Sequence, residues 1–411
     1  MLIEARIANH RSICDEQILS LEAASPAAAD DPTARSIEGL KRPMLPAAAI
    51  YGANASGKSN VLLGLDFMRT AVLESHKSWD PHGTVPRHAF AWGPGRQSVS
   101  LFEVMIWQRG VRYQYGFTAS DGAFEEEWLY AWPHQRKQVW FEREGQAFHF
   151  GDKLQGENRL IQQVVRPNAL FVSAAVQLDQ RQLDPVFEWF KTTHITVGGS
   201  VSEDSLLASP HWQALENTLI GLEEATDYRL REERFRRVLE LLKSADFGIV
   251  DMRAHERPGF PRTALQLQHQ QDAETSWLDL EHESSGTRNL LRLAPIILDA
   301  LEGGTVVLLD ELESSLHPAL ATQIVQLFND PATNPRNAQL IFTTHGTHLL
   351  GTLSGDPALR RDQVWLTEKD SSGATKLYPL TDYRPRKAEN LQRGYLQGRY
   401  GAVPFLGDLT R

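Results

Sequence analysis

One stretch limits the fold of this chain more than any other: "IYGANASGKSN", residues Ile50 to Asn60. Gly52, four residues, then Gly57, Lys58 and Ser59 satisfy G-x-x-x-x-G-K-[ST], the spacing of a phosphate-binding loop. The residue types follow from the chemistry. Glycines let the backbone curl so that successive N–H groups, carried by Asn54, Ala55, Ser56 and their neighbours as far as Asn60, point inward at phosphate oxygens. Lys58 adds a positive charge for the β and γ phosphates, the Ser59 hydroxyl is placed for Mg²⁺, and the N-terminus of a following helix supplies a favourable field. Such a loop requires a strand before it and a helix after it. "AAAIY" is a short apolar run of the strand kind, and Val61, Leu65, Met68 and Val72 recur at helical spacing. The chain therefore begins as an α/β protein.

With 411 residues, 41% of them hydrophobic and 23% charged, the chain can form two or three packed units of ordinary globular composition. A single cysteine, Cys14, excludes an intramolecular disulfide and a cysteine-based zinc cluster, which suits a reducing compartment. No apolar run approaches the roughly 18 to 20 residues of a membrane span, and "MLIEARIANHRSI" lacks the apolar core of a signal peptide. A cytoplasmic protein without membrane contact is expected. The net charge of -10 confines any contact with DNA or RNA to a local basic patch. "RLREERFRRVLE", residues 229 to 240, and "YRPRK", 383 to 387, are two such clusters, and each reads first as a solvated face.

Along the chain, "LIEARIA" and "EQILSLEA" alternate as strands before a loose Ala/Pro/Asp loop. A Pro/Gly/His-rich connection, 78 to 97, follows the loop helix. The period then becomes two, and residues 99 to 150 read as an antiparallel meander of hairpins whose many aromatics are assigned to packing rather than base stacking. Residues 155 to 245 read as helices with "LFVSAAVQ" as a strand between them, and without sustained heptads.

The second half adds carboxylates. In "TVVLLDELESSLHP" four apolar residues, Val306 to Leu309, run directly into Asp310 and Glu311, so a buried strand ends where Asp310 can hold a Mg²⁺ shell and Glu311 can polarise water. Upstream, in "HESSGTRNLLRLAPIIL", Ser284, Ser285 and Gly286 open an apolar helix and form a second anion site from backbone N–H groups and a hydroxyl. Downstream, "QLIFTTH" is an apolar strand ending in His345.

In this order the motifs resemble those of ABC-type ATPases. "SSGT" looks like a variant signature motif, "ESSLHP" like a D-loop, and His345 like the switch histidine, acting beside Glu311; Gln177 is the candidate for the Q-loop. The resemblance implies an α/β head with a mixed-sheet P-loop core, an antiparallel β lobe and a helical insert, divided at 1–155, 156–245 and 246–411. It implies ATP with Mg²⁺, and a homodimer in which the signature of one chain meets the γ-phosphate held by the other. "IEARIANHRSI" and "SSGT" resemble the RecF, SMC and OLD group, and the absence of a coiled-coil arm argues against SMC. "LPAAAIYGANASGKSNVL", "RPNALFVSAA", "DELESSLHP" and "YLQGRYGAVPFLG" resemble OLD-like ATPases of the RloA type, related to the ATPase subunits of the PARIS and Septu anti-phage systems. OLD nucleases continue into a Toprim domain. Here the expected effector is a separate Toprim-type or HNH nuclease, docked on the helical insert or on the C-terminal Tyr, Arg and Gly residues. The alternative is a RecF-like repair protein that binds DNA under ATP control.

Overall fold

The computed structural model describes residues 1–24, 31–197, 228–245, 248–256, 263–271, 274–314, 316–351, 357–386 and 389–404. Period-two patterning builds two large sheets. The first joins β1 (Leu2–Ala8), β2 (Gln17–Ser20), β4 (Ser100–Gln108), β5 (Val111–Ala119), β6 (Phe124–Trp132), β7 (Gln138–Glu144) and β8 (Ala147–Phe150) in the order β2-β1-β4-β5-β6-β7-β8, with every pairing antiparallel. The meander expected over 99–150 is therefore present, and β1 extends it. Its inward residues Phe102, Tyr115, Phe117, Phe124 and Phe141 are fully buried. On the other face, Trp128 Nε1 donates to Glu103 at 2.8 Å and Tyr130 OH to Glu142 at 2.7 Å. The same face also carries cations, Lys137 over the Tyr130 ring at 3.5 Å and Arg112 over the Trp132 ring at 4.2 Å, so its charges are of both signs.

The second sheet has the order β16-β15-β3-β14-β13-β9, formed by β16 (Thr375–Pro379), β15 (Val364–Lys369), β3 (Ala47–Gly52), β14 (Gln339–Thr343), β13 (Val306–Leu309) and β9 (His194–Thr196). All neighbours are parallel except β16, so this is a mixed sheet. A sheet covered on both faces reads as continuous apolar sequence, which is why β3, β13 and β14 were legible as short runs. Alternate residues serve different cores. Ala48, Ile50, Val306, Leu308 and Ile341 join the first sheet and α1 (Lys58–Glu74), whereas Ala49, Tyr51, Val307, Leu309 and Phe342 join the helices of the other side. Those helices include α6 (Ser285–Gly303), α7 (Pro318–Asn329) and α8 (Leu391–Leu396). On this side the C-terminal segment packs inward through Leu391, Tyr395, Tyr400 and Ala402, so these residues are unavailable as docking groups; the last seven residues lie outside the described set.

Two elements differ from the sequence expectation. "LFVSAAVQ" is not a strand: Phe171–Gln177 forms α3, following α2 (Asn158–Val164) and preceding α4 (Asp184–Thr192). Phe171 to Ala175 are all buried, and a short all-apolar run leaves helix and strand indistinguishable by period. A distant residue favours the helix: the Glu127 carboxylate accepts hydrogen bonds from the Phe171 and Val172 N–H groups at 2.7 and 3.2 Å, satisfying the first turn. Second, a three-stranded antiparallel sheet, β10 (Ile249–Glu256), β11 (Thr263–Gln271) and β12 (Glu274–Asp279), lies between α5 (Tyr228–Ala245) and α6. In α5, Arg237 pairs with Glu233 and Glu302, so part of the basic cluster at 229–240 is a solvated face.

Glu127 and Arg143 are buried together at 3.5 Å, and Tyr115 OH donates to Glu127 at 2.9 Å. Burial raises the Glu127 pKa, against the pull of Arg143 and the two helix N–H groups. Removing one member of such a pair strands the other charge. Glu127→Ala is expected to cost about 3–5 kcal/mol, read as a lower denaturation midpoint with early loss of α3; an unchanged midpoint would show that the pair contributes nothing net.

Candidate functional site

The crevice at the carboxyl ends of β3, β13, β14 and β15 gathers most of the residues singled out in the sequence, as open parallel sheets do where strand order reverses. The loop leaves β3 at Gly52 and enters α1 at Lys58, with Gly57 at φ 102° and Ala55 at φ 61°, both left-handed. Glycine is required twice. A Cβ on Gly57 would overlap the Thr375 and Ser12 hydroxyls, and one on Gly52 would overlap Thr367 and Ser56. Those hydroxyls hold the loop: Ser56 Oγ lies 2.7 Å from Thr367 Oγ1, Thr375 Oγ1 donates to the Ser56 carbonyl at 2.8 Å, and Asn60 Nδ2 donates to Ser12 Oγ at 2.6 Å.

Lys58 is only 6% exposed, and its Nζ donates to the carbonyls of Gly52 at 3.0 Å and Ala53 at 3.1 Å. Among the described residues no carboxylate pairs with it within 4.0 Å. Burial lowers its pKa, opposed by the fields of Glu311, Asp310 and Glu313. A buried ammonium held by carbonyls, at a helix N-terminus and beside a curled loop, fits a polyphosphate.

The register that sets Leu309 opposite Phe342 brings Asp310 beside Thr343. Asp310 Oδ1 accepts from Ser59 Oγ at 2.8 Å and from Thr343 Oγ1 at 2.6 Å, and Thr343 Oγ1 also accepts from Glu311 N at 2.7 Å. This carboxylate and these hydroxyls are hard oxygen donors that fit Mg²⁺, and Ser59 and Asp310 would hold it. Glu311 has φ 51° and an exposed side chain. A non-glycine residue held in the left-handed region beside a phosphate loop is a strained position of the kind found at functional sites. His345 follows β14, and its N–H donates to Glu313 Oε1. Burial lowers the His345 pKa, reinforced by Lys58 and opposed by Glu313, Glu311 and Asp310, which favours a neutral imidazole.

Lys58, Ser59, Asp310, Glu311 and His345 thus share one electrostatic neighbourhood. Asn54 and Ala55 form the exposed rim. Ser284, Ser285 and Gly286 do not join it: among the described residues no hydrogen bond links them to residues 52–60. Ser284 caps α6, accepting from Thr287 N at 3.0 Å, and Ser284 and Ser285 are exposed. Asn289 Nδ2 ties that helix to the Ser314 carbonyl at 2.5 Å, close to the acidic pair in sequence. Gln177 is also apart, its amide donating to the Ser173 carbonyl of its own helix. Sequence reasoning missed Thr343, Ser12, Thr367 and Thr375. For Thr343 the signal was present as two threonines between an apolar strand and His345.

The mixed parallel sheet and the loop between β3 and α1 define an α/β P-loop nucleotide-binding core. The chain belongs to the AAA_21 family, described as "AAA domain, putative AbiEii toxin, Type IV TA system", whose profile matches residues 47–351. No curated protein matches the sequence. Among solved structures, the SMC head bound to the C-terminal winged-helix domain of ScpA aligns with 14% identity over 92% of this chain and 96% of that one, at a TM-score of 0.49. The SMC head domain from Thermotoga maritima aligns with 13% identity over 92% and 98%, at 0.40. No described helix is long and apolar enough to cross a membrane.

Thr343→Val keeps the shape of the strand end but removes the hydroxyl shared by Asp310 and Glu311. The Mg²⁺ concentration needed for half-maximal nucleotide affinity should rise about tenfold, the worth of one charge-assisted hydrogen bond. Calorimetric titration of ATP at stepped Mg²⁺ reads it, and an unshifted Mg²⁺ dependence would remove Thr343 from the metal site.

Proposed function

We propose that this chain binds and hydrolyses ATP at the crevice, and that it is the ATPase subunit of a bacterial anti-phage defence system, controlling a separate effector such as a Toprim-type or HNH nuclease through nucleotide-dependent closure of a homodimer. The observation that carries the ATPase reading is the joining of Ser59, Asp310, Thr343 and Glu311 through hydroxyls and one carboxylate, with the buried Lys58 ammonium alongside. The loop N–H groups and Lys58 bind the phosphates. Ser59 and Asp310 would hold Mg²⁺, which would supply positive charge against the phosphates. Glu311, exposed and fixed by its own N–H, aligns the attacking water, and a neutral His345 offers a hydrogen bond to the γ-phosphate.

Dimer closure draws support from the opposite lobe. Ser284 and Ser285 sit exposed at the positive end of a 19-residue helix, unconnected to the loop of their own chain, as a group serving a second chain's phosphate would be. For the defence role, the family's description couples an AAA domain with a toxin and a toxin–antitoxin system, which suits an ATPase that restrains or releases a harmful partner. A thousandfold difference in partner affinity between open and closed states needs only about 4 kcal/mol of coupling.

Two variants should fail differently. Lys58→Ala should weaken ATP affinity by more than about tenfold, whereas Glu311→Gln should keep affinity and slow turnover by about 10²- to 10⁴-fold. Glu311→Gln turning over at the wild-type rate would remove Glu311 from the mechanism.

A mixing experiment addresses the composite site. Ser284→Arg places a bulky cation at the proposed interface, and a dimer of one Ser284→Arg chain with one Lys58→Ala chain keeps one intact site where either homodimer has none. Phosphate release should reappear on mixing; mixed dimers that stay inactive would show that each chain completes its own site.

A further inference from the structure

The strand ladder that carries His345 ends one residue before it: Thr344 N donates to the Ile50 carbonyl at 3.0 Å, and the chain then leaves the sheet. From there to Gly351 it is held by side chains, and two of the holds come from parts of the chain that the proposed mechanism does not use. Tyr51, the residue before Gly52 and fully buried, donates from its OH to the Gly346 carbonyl at 3.1 Å. Gln392 on α8 donates from Nε2 to Thr347 Oγ1 at 3.3 Å, and α8 packs against the short turn at Thr347–Leu350. The two holds are joined. The Tyr395 ring, also on α8, meets the Tyr51 ring edge-on at 5.5 Å, and Tyr395 OH donates to the Ala402 carbonyl at 3.1 Å.

Tyr51 is therefore pinned on three sides. Its backbone carbonyl accepts from Thr367 at 3.2 Å, its ring lies against the C-terminal segment, and its OH reaches the carbonyl of Gly346, the residue after His345. A buried tyrosine usually directs its OH to some acceptor. This acceptor lies in the irregular segment that sets where the His345 imidazole sits, and the donor is adjacent in sequence to the phosphate loop. The arrangement ties three pieces, loop, switch segment and tail, at one point.

We infer that Tyr51, together with Gln392 and Tyr395 of the C-terminal segment, forms a latch that positions His345 for hydrolysis, so that the tail is a working part of the ATP site. The inference rests on the ATPase reading of this crevice. These are positioning residues: none touches the phosphates; Tyr51 acts through the Gly346 carbonyl, Gln392 through the Thr347 hydroxyl, and Tyr395 by bracing the Tyr51 ring. Loosening the latch lets His345 sample positions away from the γ-phosphate without altering the loop that binds it, so turnover falls and affinity does not.

Tyr51→Phe removes one hydroxyl and keeps the ring; Gln392→Ala and Thr347→Ala remove the two ends of the second hold, and Thr347→Ser restores its hydroxyl. For the first three, kcat should fall between about threefold and about tenfold, the worth of one neutral hydrogen bond, with KM for ATP within about twofold of wild type. The Gln392→Ala/Thr347→Ala double variant should be no slower than either single, since both remove the same bond, and Thr347→Ser should recover most of the rate. A second readout needs no activity. In nucleotide-free protein, amide hydrogen exchange across 346–351 should quicken in Tyr51→Phe and Thr347→Ala and stay at the wild-type rate across β3. Unchanged kcat together with unchanged exchange overturns the latch; faster exchange with unchanged kcat overturns its role in turnover. If wild type does not hydrolyse ATP, the ATPase reading and with it the catalytic role of the latch fail together, while the exchange data still decide whether the latch holds the segment.

Discussion

The arrangement turns on one buried ammonium. Taking a charged group out of water costs several kcal/mol unless charge or hydrogen bonding offsets it, and among the described residues Lys58 meets two backbone carbonyls at hydrogen-bonding distance and no carboxylate. Three carboxylates contribute through their fields rather than by contact. A direct ion pair would satisfy the lysine and close the loop. Carbonyls hold it in place and leave its charge available to an anion, so the loop's geometry and the carboxylates' distance serve the same purpose.

The rest of the fold sets that distance. The acidic pair and the loop lie far apart in sequence and meet only because β3, β14 and β13 are consecutive in a parallel sheet and end on the same edge. A shift of one residue in β13 would move Asp310 away from Thr343 and exchange Val307 and Leu309 with Val306 and Leu308 between the two cores. Register at the site is thus enforced by packing on both faces. The same sheet carries the antiparallel lobe on one side and the helix that opens at Ser284 on the other.

The site was legible wherever one residue type in a local pattern carried the chemistry: the glycines, Lys58 and Ser59, the carboxylates after an apolar run, and His345 after another. Support from afar was not legible. Thr343 matters only through the register of β14 against β13, and Thr375 only because the antiparallel edge strand β16 returns to the loop. The misreading of 171–177 has the same origin, since its helix start is satisfied by Glu127, 44 residues away. The sheet at 249–279 went unassigned because strands such as "ALQLQHQQ" offer, among the side chains whose burial is described, Leu265 and Leu267 as buried apolar residues, too few for the alternation to stand out. The tail was singled out for its resemblance, and the structure adds that its inner face is part of the core while α8 touches the switch segment.

The most direct measurement of the central claim is phosphate release from Mg²⁺-ATP by the purified chain across a wide range of protein concentrations. A site completed by a second chain predicts that the rate per chain climbs with concentration and levels off once dimers dominate. Release that stays at background at every concentration would contradict hydrolysis, and a rate per chain that is constant from the most dilute sample upward, with the chain shown to be monomeric there, would contradict the shared site.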